Sequence, residues 1–345
     1  MASYNICRNI FLLFALFYVS VTASALTLDF GALDKRQTTD LVGYFAVFFK
    51  GDSTEKQRVW FYLSNGNDPC AFRPLNGDQP VLIPEGGTGG TRDMSIVVGR
   101  GDKWYILGTD LDIAKTDFNQ ATRNGSLSMF IWESSDLITW GSERLIKVEE
   151  DLAGMLWAPE ALFDESTGSS KAPDWKFFVY WSAKIYSPDD PQHRANGIHS
   201  VIRATYTSDF HQFDQPPFVY YNGKPNSVID MSILSLGGSV YVRFIKRERD
   251  NTVYSEVSIN GIYGPWTGRG DIEKNVEAPA PYLDNRIKGK GHLLLDRNSY
   301  LAYESNDIPS GRWKSSCPGF PKGLRHGYVL PVNSTQYNGL SQRYR

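Results

Sequence analysis

The sequence predicts an all-β protein, and three observations carry that expectation. The tetrapeptide Asp-Met-Ser-Ile occurs twice, at Asp93–Ile96 and Asp230–Ile233. Each copy opens an apolar run that ends in a Gly-containing turn, and an aromatic-rich strand follows. A turn in which Asp is followed four residues on by an aromatic recurs at Asp68/Phe72, Asp136/Trp140 and Asp209/Phe213, with a looser copy at Asp307/Trp313. Aromatics make up 14% of the 345 residues, and no long apolar pattern at helical spacing interrupts them. A repeat of roughly 40–70 residues with about four strands per unit is the signature of a β-propeller. A pair of β-sandwiches is the rival architecture, and it gives no reason for repeated acidic strand heads.

The first 25 residues stand apart. Arg8 precedes the apolar run Ile10–Phe17, and Ala23-Ser24-Ala25 satisfies the small-residue rule for signal cleavage. A secretory signal peptide is expected over 1–25, and the dibasic Lys35-Arg36 marks 26–36 as an expected pro-segment. Residues 37–345 are then one propeller domain, secreted and extracellular. No later apolar stretch approaches the ~18 residues of a membrane span. Net charge is -2 with no basic run, so nothing favours nucleic acid. Asn124 and Asn333 begin glycosylation sequons.

Strands are expected at Tyr44–Lys50, Arg58–Ser64 and Pro80–Ile83, before the first Asp-Met-Ser-Ile. Five strand heads follow: Asp93, Trp157-Ala158-Pro159-Glu160, Asp230, Val276-Glu277-Ala278-Pro279, and Arg325-His326-Gly327. The last head leads only one strand, so the three N-terminal strands complete its blade and give a ring of five blades closed by strands from both termini. Such closure leaves no open sheet edge. It also places Cys70 and Cys317 beside the seam, and these two cysteines, left after Cys7 departs with the signal, are expected to pair.

Inner strands line a propeller's central channel, so side chains at their heads converge. Asp93, Asp230 and Glu277 are the obvious acids there. Carboxylates gathered at one mouth raise the pKa of the least solvated, which separates an acid from a base as glycoside hydrolysis requires.

The stretches Gly89–Asp93, Trp104–Leu111, Trp157–Glu160, Val228–Asp230, Val276–Pro279 and Arg325–Pro331 together resemble glycoside hydrolase family 43, the five-bladed arabinanase and arabinofuranosidase group, across Gly43–Leu340. The resemblance implies Asp93 as general base, Glu277 as general acid and Asp230 as the carboxylate that tunes and orients Glu277. It implies an inverting reaction, with carboxyls roughly 6.5–9.5 Å apart to admit a water. Trp157, Glu160 and Arg92 are expected to contact substrate. No cofactor is required, although His326 matches a residue that in relatives ligates a central calcium or its waters. The expected protein is a secreted fungal monomer acting on plant cell-wall polysaccharide, with no membrane or nucleic-acid partner. An α-L-arabinofuranosidase is favoured over a β-xylosidase, an endo-arabinanase or a non-catalytic sugar-binding propeller. The family's usual Pro after each Asp and Gly after the Glu are replaced by Met94, Met231 and Ala278, which implies weaker preorganisation of the acids.

Overall fold

The computed structural model describes residues 41–99, 103–164 and 176–345. The expected signal and pro-segments lie outside the described residues. Five four-stranded antiparallel sheets form a five-bladed propeller. In chain order the first blade is β4 (Thr91–Val98), β5 (Trp104–Asp110), β6 (Ser128–Ser134) and β7 (Arg144–Lys147). The second is β8 (Trp157–Asp164), β9 (Lys176–Lys184), β10 (Ser200–Thr207) and β11 (Phe218–Tyr221). The third is β12 (Val228–Ser235), β13 (Tyr241–Arg247), β14 (Thr252–Ser258) and β15 (Thr267–Lys274). The fourth is β16 (Glu277–Leu283), β17 (Gly291–Asp296), β18 (Tyr300–Ser305) and β19 (Lys314–Ser316). The fifth joins the termini: β20 (Arg325–Asn333) is its inner strand, and β1 (Leu41–Phe49), β2 (Trp60–Ser64) and β3 (Phe72–Pro74) lie outward of it.

The core explains the aromatic-rich runs. Successive strand residues face opposite ways. In β1, Phe45, Val47 and Phe49 enter the cluster shared with the first blade, while Tyr44, Ala46 and Phe48 enter the one shared with the fourth. Three further clusters fill the other seams between neighbouring blades. A blade with both faces covered needs continuous apolar sequence, as LVGYFAVFF supplies. Inner strands have one edge on the channel, and they alone among central positions tolerate Pro159, Pro279, Pro281 and Pro331.

The third N-terminal strand is not Pro80–Ile83. The Asp68 carboxylate accepts from Cys70 N at 2.8 Å, the turn closes at once, and β3 starts at Phe72. Leu82 only bridges Val59. The repeated Asp turns take the same form: Asp136 Oδ1 accepts from Ile138 N, and Asp209 Oδ1 from His211 N. Their buried anchors are Leu137 and Phe210, both at positive φ, rather than the aromatics four residues on. Cys70 and Cys317 are bonded to each other, with Cα atoms 4.9 Å apart, and join the fifth blade to the fourth. Asn124 is exposed after the short helix α1 (Phe118–Arg123), and Asn333 caps α2 (Ser334–Arg343) in a capping box with Gln336.

Candidate active site

All five inner strands carry the same irregularity near their heads. Arg92 pairs with Thr109 but Ser95 with Leu107, so one extra residue is inserted on β4. The same insertion separates Trp157 from Glu160, Ile229 from Ser232, Glu277 from Ala280, and Arg325 from Tyr328. These are β-bulges, which bend a strand and re-aim a side chain. Asp93, Ala158, Asp230 and Ala278 occupy the first bulge position at φ of 50–54°, and His326 occupies it in the fifth blade. Gly327 follows there because a Cβ would lie 1.9 Å from Val47 O.

This geometry corrects two sequence expectations. Glu277 is not equivalent to Asp93 and Asp230. It stands one residue earlier, where the other blades have Arg92, Trp157, Ile229 and Arg325. The second correction concerns preorganisation. Residues before Pro159 and Pro279 have the same positive φ as those before Met94 and Met231. The bulge, rather than a following proline, sets the backbone, and both Met side chains are buried in seams between blades.

The bulges are tied to one another. Ala158 N donates to Thr109 Oγ1 at 2.8 Å and Asp230 N to Ser182 Oγ at 3.0 Å, so the end of each second strand holds the next blade's head. His326 N lies 3.4 Å from Asp296 Oδ2 in the same relation. At the third blade that position is Lys246, which has no acceptor. Ala278 N donates instead to Asp230 Oδ2, at 3.2 Å.

Asp93, Asp230, Glu277 and His326 line one cavity of about 280 Å³, together with Arg92, Trp157 and Phe118. Asp93 Oδ1 is 3.2 Å from His326 Nδ1, and Thr109 Oγ1 donates to Asp93 Oδ2 at 2.9 Å. Burial pushes the Asp93 carboxyl up, but the His326 charge and hydrogen bond, with Arg92 and Thr109, outweigh it and hold Asp93 below its ordinary value. Burial pushes His326 down, and Asp93, Asp230 and Glu160 overcome that to bring it up to about 9. A cationic imidazole and an ionised Asp93 result at neutral pH. Asp230, buried and close to Glu277 and Asp93, is pushed up to about 6 against the opposing charges of His326 and Lys246.

Glu277, which Asp230 is expected to tune, is governed chiefly by burial and by two cations. Lys246 Nζ donates to its Oε2 at 2.7 Å and Arg325 Nη2 to its Oε1 at 3.2 Å. Burial raises its pKa, but these cations prevail and lower it. The raised carboxyl is Asp230, so of these two acids it is Asp230 that burial and like charge favour in the protonated form.

The remaining expected contacts divide. Trp157 lines the cavity, edge-on to Phe118 at 6.1 Å. Arg92 lines it as well, fixed by Asp52 at 2.7 Å and lying 4.5 Å over the Phe49 ring. Glu160 does not line it. Glu160 lies deeper along β8, accepting from Tyr180 OH and Ser232 Oγ, and burial pushes it up to about 7. Among the described residues no group of three His, Cys, Asp or Glu side chains could hold a metal. His326 Nδ1 is already engaged with Asp93.

A family model described as "Probable glycosyl hydrolase domain", related to glycosyl hydrolase family 43, matches residues 39–338. The chain belongs to this family. Its propeller is a glycosyl hydrolase family 43-related domain. An α-L-arabinofuranosidase of Bifidobacterium longum subsp. longum is 29% identical over 235 residues, which are 65% of this chain and 21% of that protein. An exo-1,5-α-L-arabinanase from a bovine ruminal metagenomic library superposes with a TM-score of 0.51 at 16% identity, covering 80% of this chain and 97% of that one. A thermostable family-43 glycoside hydrolase gives 0.45 at 15% identity, over 69% and 76% of the two chains. At this identity the arabinanase structure speaks for the fold alone.

Sequence reasoning missed Lys246, Asp296, Asn298 and Phe118, and it gave Arg325 no role. Lys246 and Asp296 end second strands, opposite Ile229 and Glu277. Only the bulge register identifies those positions, and no local motif marks them.

Proposed function

We propose that this protein is a secreted, exo-acting, inverting α-L-arabinofuranosidase that removes terminal residues from plant cell-wall polysaccharide. The observation that supports the chemistry is the sorting of three carboxyls around one cavity. Asp93 is held ionised by His326, Asp230 is raised to about 6, and Glu277 faces the same cavity as the acid whose protonated form reacts. Asp93 takes a proton from water as the water oxygen bonds to the anomeric carbon. The bond from that carbon to the leaving oxygen breaks, and Glu277 delivers its proton to that oxygen. Asp93 then gives its proton up to solvent, and Glu277 takes one back. A cavity of about 280 Å³ suits a single terminal sugar, and the arabinofuranosidase relative favours arabinose over xylose.

Asp93→Asn keeps a side chain that accepts positive φ and removes the base. Its kcat on nitrophenyl arabinofuranoside should fall about 10²–10⁴-fold, with wild-type turnover of that substrate exceeding turnover of the xyloside. Proton NMR of the first product should show inverted configuration at the anomeric carbon. Wild-type rates for Asp93→Asn, or a retained configuration, would overturn the assignment.

A further inference from the structure

A second cavity, of about 230 Å³, adjoins the first. Lys246, Asn251, Asn275 and Asp296 line it, and it shares Glu277 and Asn298 with its neighbour. Asp93 and Asp230 face only the first cavity, and Asp296 only the second. Of the carboxylates lining these two cavities, Glu277 is therefore the one with space on both sides. A general acid must stand at the leaving oxygen, between the sugar being removed and the group it leaves. We propose that the second cavity seats the leaving group, a neutral sugar residue of the chain being trimmed. The proposal rests on the glycosidase assignment of the first cavity.

The lining indicates the chemistry of this ligand. Its charges are already engaged. Lys246 is paired with Glu277 at 2.7 Å. Arg297 Nη2 donates to Lys274 O at 2.6 Å and reaches Glu273 at 3.2 Å, and its Nε donates to Asn275 O. Asp296 Oδ2 takes Arg325 Nε. Each cation of this lining already has a partner, which disfavours a uronate. The uncommitted groups are neutral or acceptors. The side-chain amides of Asn251, Asn275 and Asn298 make no hydrogen bond among the described residues. Asp296 Oδ1 is buried, also without a partner there. An amide both donates and accepts, as a sugar hydroxyl does. The three asparagines sit at φ of 49°, 56° and 60°, so each ends a tight turn. The bends bring amides from three separate turns around one opening.

Those φ values make a clean perturbation available. Glycine takes positive φ without strain, so Asn251→Gly and Asn275→Gly remove the amides and leave the backbone, including the Val276 N to Asn251 O bond, in place. The double variant would be compared with wild type on two substrates with the same terminal sugar, a nitrophenyl glycoside and an oligosaccharide. Loss of one hydrogen bond corresponds to about five-fold, so kcat/KM on the oligosaccharide relative to the nitrophenyl glycoside should fall about 25-fold. An unchanged ratio at matched Tm would place the leaving group elsewhere and overturn the proposal. Calorimetric titration with unsubstituted arabinotriose, xylotriose and trigalacturonate is independent of turnover. A neutral trisaccharide should bind wild type more tightly than the double variant, and preference for trigalacturonate would refute the neutral class. If wild type hydrolyses neither glycoside, the assignment of the first cavity fails, while the titration still decides the second.

Discussion

Replacing Lys246 by Met removes an ammonium 2.7 Å from Glu277 Oε2 and leaves the aliphatic stem to fill the same space. The Lys246 side chain is 10% exposed and that of Glu277 38% exposed. An opposite charge this close displaces a carboxyl by about 1–3 pH units, and the exposure of Glu277 places the effect at the lower end. The same ammonium opposes the upward displacement of Asp230, so its loss moves both carboxyls upward. In wild type the alkaline limb of the pH–rate profile should follow deprotonation of Glu277, which Lys246 and Arg325 hold below its ordinary value. In Lys246→Met it should move up by about one pH unit, a roughly five-fold gain in relative rate one unit above the wild-type limb. The assay is kcat/KM against pH on a nitrophenyl glycoside, read as the position of the limb rather than the plateau. A limb that stays put or moves down would refute the claim that Lys246 governs protonation of the acid.

Two further expectations follow. Free-thiol titration of the unreduced, denatured protein should find neither Cys70 nor Cys317 reactive. Because the bond closes a loop with a sequence separation of 247, Cys70→Ser should lower unfolding free energy by about 2–5 kcal/mol. Stability should also fall with rising pH. His326 binds its proton more tightly folded than unfolded, so its contribution is complete below about 6.5 and lost as pH passes about 9. Asp230 and Glu160, also raised, act with the same sign at lower pH. Denaturant titrations should show a decline of up to about 3 kcal/mol between pH 6.5 and 9, flattened in His326→Gln. A rising or level wild-type profile would contradict the buried His326–Asp93 pair.

Much of the architecture was legible in the chain. The duplicated Asp-Met-Ser-Ile and the Asp turns expose the repeat, and a lone terminal strand beside three unled ones exposes the ring closure. The convergence of Asp93, Asp230 and Glu277 on one cavity follows from that repeat. Other features were not legible for identifiable reasons. The bulge is a property of backbone pairing, so the one-residue offset of Glu277 from Asp93 is invisible in a list of strand heads. Lys246 and Arg325 reach Glu277 from a neighbouring second strand and a neighbouring head. Their effect on its proton depends on distances that no motif encodes. Glu160 belongs to a strand head, yet two further residues along β8 carry it out of the cavity and into a hydrogen-bonded core with Tyr180 and Ser232.

The central claim is that Glu277 gives its proton to the leaving oxygen, and a leaving-group series on Glu277→Ala tests it most directly. Sugar and alkyl leaving groups need that proton, whereas a dinitrophenolate departs without it. The variant should lose about 10²–10⁴-fold in kcat/KM on an oligosaccharide and less than about ten-fold on the dinitrophenyl glycoside. Equal losses on both substrates would show that Glu277 is not the proton donor.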